Sequence, residues 1–230
     1  MGITQVEKRA VIDSARSAGA REVRLVSESI AAIIGAGLDV TDPVGHMVAV
    51  IGGGTSEVAI VSLGGIVRSR SIRVAGDAMT AAIVRYVHDF FHLDIDENTA
   101  EEVKKELGSA VPLSAPAEKE ISGKDSKSKE LRSVRVTDTH VREALAESIR
   151  TIGESVLTTL EETSVELVTD LSVGGLLLAG GGALIRGLDT YLAQKTNLPV
   201  VLAEDPLTTV VKGAAAVMRD PARYRYIFVS

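Results

Sequence analysis

Two glycine triplets constrain this chain more than any other feature. Gly52-Gly53-Gly54 follows the apolar run Met47-Val48-Ala49-Val50-Ile51, and Gly180-Gly181-Gly182 follows Leu176-Leu177-Leu178-Ala179. Unbroken apolar runs of this length suit strands covered on both faces. Glycine placed directly after such a strand reaches φ > 0 and lets bare backbone approach a ligand. Successive N–H groups in such turns make anion nests, and a helix opening after Gly182 would add the positive end of its dipole. One triplet is ordinarily a tight turn, but two, each at a strand end, suit a nucleotide held between them. Neither follows the Walker A or dinucleotide spacing.

The pattern around the triplets is mixed. Residues 4–18 read as a helix with Thr4 as cap and Glu7 three positions on, and Val6, Ala10, Val11, Ile12 and Ala15 form its apolar stripe. A short strand at 22–26 and a small-residue helix at 29–34 follow. Strands are expected at 47–51, 57–63 and 66–74, the last two joined by the hairpin signal Gly64-Gly65. Helices are expected at 76–91 and 98–107. Residues 114–130 hold Ser, Pro, Lys, Asp and Gly and read as a surface hairpin or loose loop. A strand at 131–136 leads into a long helix at 138–162, with Val141, Leu145, Ile149, Ile152, Val156 and Leu160 at helical spacing. Strands at 175–179 and 200–202 and a helix opened by Pro206 complete an α/β chain.

Composition removes several function classes. The 230 residues contain no Cys, which excludes disulfides, thiolate metal sites and Cys nucleophiles. A net charge of −6 lacks the basic footprint of a nucleic-acid binder, so no nucleic-acid partner is expected. No apolar run approaches 18 residues, so no membrane span is expected, and the polar N-terminus is unlike a signal peptide. His46, His88, His92 and His140 show no zinc-ligand spacing, and no metal site is expected from side chains alone. Aromatics are only 3%, so the core must come from Val, Leu, Ile and Ala.

The stretch Met47-Val-Ala-Val-Ile-Gly-Gly-Gly-Thr-Ser-Glu-Val-Ala-Ile-Val-Ser-Leu-Gly-Gly-Ile-Val67 resembles the second phosphate loop of the bacterial actin-like, rod-shape-determining MreB/Mbl family. Arg73-Val-Ala-Gly-Asp77 and Thr99-Ala-Glu-Glu-Val-Lys-Lys-Glu-Leu-Gly-Ser-Ala110 follow where that family has similar runs. Residues 178–189 are similar to its adenosine-binding turn, and Asp205-Pro-Leu-Thr208 precedes its last helix. The likeness covers nearly the whole chain and is interrupted mainly at 114–130.

The resemblance implies an actin/Hsp70-type (ribonuclease H-like) fold, ATP with magnesium in an interdomain cleft, and filament assembly in the cytoplasm, held at the inner face of the membrane through partners. It implies phosphate contacts from Gly52, Gly53, Gly54, Thr55 and Ser56. It places Glu101, Glu102, Val103 and Lys104 beside the adenosine, and Gly180, Gly181, Gly182 and Ala183 over it. Glu28, in Ser27-Glu-Ser-Ile-Ala-Ala32, falls where the family has its water-positioning glutamate, and Thr55 joins it as a catalytic residue. By themselves, Glu28 is an ordinary helix-start acid and the 101–105 cluster a solvated helix face.

Three departures from the family pattern are expected to matter. Val50 stands where the family carries a magnesium-side Asp, and Ser29 stands where it has Pro. The chain also resembles a short form lacking the N-terminal part, with the first phosphate loop missing. On that reading residues 1–45 are a remnant of the first lobe, and its 23–25 strand has an unpaired edge. Residues 46–80 and 139–209 form the core of a nearly complete second lobe, 81–138 a small inserted subdomain, and 210–230 a C-terminal helix and tail. Weak nucleotide binding is expected. The expected partner is a second copy, a full-length actin-like protein, or a membrane-anchored cell-shape scaffold. Two other readings stay open: a non-hydrolysing module that co-assembles with a full-length relative, and an ATPase or sugar-kinase relative on the same superfold.

Overall fold

The computed structural model describes residues 4–229; the first three residues of the polar N-terminus and Ser230 lie outside it. The chain runs α1 (Gln5–Ser17), β1 (Leu25–Val26), α2 (Glu28–Gly35), β2 (His46–Ile51), β3 (Ser56–Ser62), β4 (Gly65–Ile72) and α3 (Gly76–Phe91). Then come β5 (Leu93–Asp94), α4 (Glu97–Leu107), β6 (Glu118–Asp125), β7 (Leu131–Thr137), α5 (Asp138–Glu161) and α6 (Val165–Gly174). The last part holds β8 (Leu176–Ala179), a 3-10 turn at Gly181–Leu184, α7 (Leu188–Thr196), β9 (Val200–Leu202), α8 (Thr209–Arg219) and β10 (Phe228–Val229).

The central sheet has five strands in the order β4-β3-β2-β8-β9. Its first three strands are an antiparallel meander, while β8 and β9 add in parallel to β2. Side chains alternate across a strand, and β2 divides accordingly. Met47, Ala49 and Ile51 join the core packed by α3, α4 and α5, while Val48 and Val50 face a second core built with Ile30 and Ile33 of α2 and Val217 of α8. Helices on both faces are why every β2 residue from Met47 onward is buried. The stripe expected on α5 is real: Val141, Leu145, Ile149, Ile152 and Val156 are all buried, with Leu160 half-buried at the end.

Residues 114–130 are the better-ordered of the two alternatives. β6 pairs with β7 over seven residue pairs, Glu118↔Thr137 to Lys124↔Leu131, and β5 extends them to a three-stranded sheet. Three expectations are corrected. The strand at 22–26 is only Leu25–Val26; it pairs antiparallel with Val229 and Phe228 in a two-stranded sheet, and its other edge has no strand beside it among the described residues. A helix does not open directly after Gly182; a single 3-10 turn intervenes and α7 starts at Leu188. Pro206 precedes a turn, and α8 begins three residues later. The cap at Thr4 forms as read, with Glu7 N–H donating to Thr4 Oγ1 and Thr4 N–H donating back to Glu7 Oε2, yet α1 buries none of its residues. No helix among the described residues is long and apolar enough to cross a membrane.

Candidate functional site

The parallel register of β2 and β8 sets Val50 beside Ala179, so both strands end at the same edge of the sheet. Each then runs directly into its glycine triplet. The two turns are therefore neighbours because of sheet topology, and the carboxyl ends of parallel strands are where α/β folds form their ligand crevices. Gly180 has φ +84°, and a Cβ there would lie 2.3 Å from the Ile51 carbonyl oxygen, so the contact demands glycine. Gly182 is crowded too, because a Cβ would meet the Ile51 side chain, with Cγ2 at 2.2 Å.

The first turn is closed by the Gly52 N–H donating to the Thr55 carbonyl at 3.0 Å. The N-terminus of α3 grips it from below, with Gly76 N–H donating to Gly52 O at 3.0 Å and Asp77 N–H to Gly53 O at 2.9 Å. These bonds engage the turn's carbonyls and leave Gly53, Gly54 and Thr55 exposed. The second turn is held by the Gly180 N–H donating to Pro206 O at 2.9 Å.

Between the turns lies a cavity of about 620 Å3, lined by Gly52, Gly53, Gly76, Asp77, Glu101, Lys104, Gly181 and Gly182, with Leu184, Ile185 and Leu207 among its apolar residues. Small-molecule sites typically span about 300–1,000 Å3. Lys104 reaches in from α4. Its Nζ donates to Gly76 O at 2.8 Å and Thr80 Oγ1 at 2.9 Å, and lies 2.5 Å from Glu101 Oε2. Thr80 Oγ1 donates to the same carboxylate oxygen at 2.7 Å. Burial pushes the Glu101 carboxyl up, but the Lys104 and Thr80 hydrogen bonds and the Lys104 charge outweigh it and bring the pKa down to about 2. Glu101 is therefore a fixed anion and Lys104 a cation held at the cavity floor.

Of the expected residues, Gly52, Gly53, Glu101, Lys104, Gly181 and Gly182 line the cavity. Gly54 and Thr55 are exposed on the same turn. Ser56 is buried, and its hydroxyl donates to Val74 O at 2.7 Å, which ties β3 to the end of β4. Glu102 points away to Lys119 at 3.2 Å, Val103 lies in the core, and Ala183 is buried behind the turn. Sequence reasoning did not single out Gly76, Met79, Lys105, Leu184, Ile185 or Leu207 as lining residues. Asp205-Pro-Leu-Thr208 marked the segment carrying Leu207, but only the fold shows it crossing the cavity.

Glu28 stands outside the cavity: its side chain is exposed at the start of α2 and is not among the lining residues. The neighbouring Ser29, fully buried in the first turn of α2, donates its hydroxyl to Glu57 Oε1. Glu57 follows Ser56 and pairs across the sheet with Val50. This bond brings the start of α2 to the strand that leaves the first glycine turn. The Glu28 side chain is exposed, but partial desolvation raises its pKa above the ordinary value, and the Glu57 charge adds to the rise. Val50, 2% exposed, packs in the apolar cluster with Ile30 and Ile33. Among the described residues no group of three or more His, Asp or Glu side chains could hold a metal ion. The bare glycine walls and Lys104 fit a bulky anionic ligand.

Comparison with known proteins identifies the family and the fold. The family model described as MreB/Mbl protein matches residues 1–225. The cell shape-determining protein MreB of Escherichia coli (strain K12) is 45% identical over 218 residues, 95% of this chain and 63% of that protein. The cell shape-determining protein Mbl of Bacillus subtilis (strain 168) is 38% identical over 216 residues, 94% of this chain and 65% of that protein. This chain thus spans less than two thirds of the length of either. The crystal structure of MreB5 of Spiroplasma citri bound to AMPPNP matches with a TM-score of 0.93 at 35% identity, covering 96% of this chain and 67% of that one. A MamK double helical filament matches with a TM-score of 0.78 at 21% identity, a likeness of fold alone. The fold is actin-like, and the chain belongs to the MreB/Mbl family.

Proposed function

We propose that this chain is an actin-like cytoskeletal component acting in bacterial cell shape through nucleotide-linked assembly. The observation that carries the reading is the register of β2 and β8, which puts both glycine turns on one cavity with Lys104 at its floor. The names of the relatives, cell shape-determining proteins, and the AMPPNP in the Spiroplasma citri neighbour point the same way. On this reading Gly52, Gly53, Gly54 and Thr55 present backbone to the phosphates. Glu101 and Lys104 with Gly181 and Gly182 flank the adenosine, and Glu28 orients water. Residues 46–80 and 139–209 are the core of the lobe that carries the site, 81–138 is its small inserted subdomain, 1–45 is a remnant of a first lobe, and 210–230 is a C-terminal helix and tail.

Binding and hydrolysis make different demands. Phosphoryl transfer relies on positioning and on neutralising charge around the phosphates. Val50 supplies an apolar side chain where a carboxylate would assist a metal. The 230-residue chain is therefore expected to bind ATP weakly and to release phosphate at near-background rate. Its function is assembly with copies of itself or with a full-length relative.

Pelleting with and without ATP, alone and with a full-length MreB, tests the reading. The expected result is ATP-dependent sedimentation, alone or on addition of the relative. Recovery in the supernatant under all four conditions would overturn it. Rapid phosphate release that Glu28→Ala abolishes, with no sedimentation, would favour the enzyme alternative.

A further inference from the structure

We infer that Asp77 makes nucleotide binding in this cavity conditional on a divalent cation: its carboxylate is the group that a hydrated magnesium ion would bridge to the phosphates. This rests on the nucleotide reading above and names the residue that serves its metal. Three observations converge. Asp77 lies in the first turn of α3, and its backbone N–H donates to Gly53 O at 2.9 Å, so the residue is fixed to the first glycine turn. Its carboxylate stands over the bare backbone of that turn. A Cβ on Gly53 would lie 3.3 Å from Asp77 Oδ1 and 3.6 Å from Oδ2, and one on Gly54 would lie 3.9 Å from Oδ2. Among the described residues no hydrogen bond or ion pair engages that carboxylate.

The cavity does not neutralise Asp77. Its other charged lining residues are Glu101, Lys104 and Lys105. Both lysines are paired with Glu101, at 2.5 Å and 3.4 Å. A phosphate laid against the exposed backbone of Gly53 and Gly54 therefore meets an uncompensated carboxylate, and like charges this close repel. A cation between the two converts the repulsion into attraction. Magnesium suits the place, because it keeps several waters and is commonly held by one or two carboxylates together with substrate phosphates. One carboxylate with phosphate oxygens is thus a sufficient donor set, and a closed group of acidic side chains is not needed. Val50 cannot serve, being apolar and 2% exposed in the cluster with Ile30 and Ile33. An acid in a first helical turn also stabilises its helix through the dipole, but that role alone would leave ligand binding indifferent to the metal.

The test is a calorimetric titration of ATP into the 230-residue chain, once with magnesium and once with EDTA, for the wild type, Asp77→Asn and Asp77→Glu. The wild type should bind about tenfold more tightly with magnesium than with EDTA. Asp77→Asn should lose most of that difference, and in EDTA it should bind more tightly than the wild type because the repulsion is gone. Asp77→Glu keeps the charge and should keep the metal dependence. Thermal melting of each chain confirms that it is folded; a residue acting only on helix stability would shift melting and leave the magnesium difference intact. Three results would each overturn the inference while the nucleotide reading stands: a wild type that binds ATP equally in both buffers, full magnesium dependence in folded Asp77→Asn, or weaker binding by Asp77→Asn than by the wild type in EDTA. No saturable binding by any chain in either buffer overturns both.

Discussion

Lys104 and Glu101 lie three residues apart on one face of α4, and their local spacing would suit any exposed helix. The fold gives the pair a different setting, because Lys104 is only 11% exposed and also holds the Gly76 carbonyl at the start of α3. Glu101 carries a depressed pKa, about 2 against 4.5, so it binds a proton less readily folded than unfolded. The stabilisation this represents is fully present above pH 4.5 and is lost as pH falls toward 2. Its side chain is 36% exposed, so solvent screening reduces the effect to about 1 kcal/mol. Glu101→Gln should therefore lower stability by about that amount at pH 7 and by progressively less below pH 4.5, measured by urea unfolding across pH. An equal deficit at pH 7 and pH 2.5 would contradict this assignment. The sequence reached Glu101 and Lys104 through family likeness, but not their division from Glu102 and Val103. That division is set by helix phase against α3, which no residue type announces.

At the scale of elements, the tightest joint is the crossing of α2 over α8. A Cβ on Gly213 would stand 1.7 Å from the Ala31 carbonyl oxygen, and one on Gly35 would stand 1.8 Å from that of Thr209. Two helix backbones meet there with no room for a methyl group. Gly213→Ala is expected to cost about 1–3 kcal/mol or more through forced separation of the helices. Gly174→Ala is the control: its Cβ would meet nothing within 4 Å, so thermal melting should be unchanged or slightly raised. Equal melting points for the two variants would refute the close crossing. The same scale shows what local pattern reveals. α3 and α5 were legible because each buries a full apolar stripe. α6 was not, because it buries only Leu171 and leaves Val165 and Val173 on the surface, so it offers no periodic signal. The pairing of β1 with β10 joins residues about 200 positions apart over two residue pairs, too short a ladder to leave a pattern.

Over the whole molecule, the central sheet was readable because apolar runs and glycine turns fix where strands lie and end. Its order needed the fold, since nothing local says that β8 inserts beside β2 rather than beyond β4. That placement of β8 is what turns two separate glycine triplets into one cavity, and the function turns on that cavity accepting a nucleotide. Gly53 is the position to alter. A Cβ there would lie 3.3 Å from Asp77 Oδ1, the free end of an exposed side chain, so the fold should tolerate alanine while the turn loses its bare backbone. The deciding measurement is a calorimetric titration of ATP with magnesium into the wild-type chain and Gly53→Ala. Weak, saturable binding by the wild type is expected, with at least a tenfold loss in Gly53→Ala, about 1.4 kcal/mol, and melting unchanged. No saturable binding to the folded wild type, or equal affinity in both chains, would contradict it.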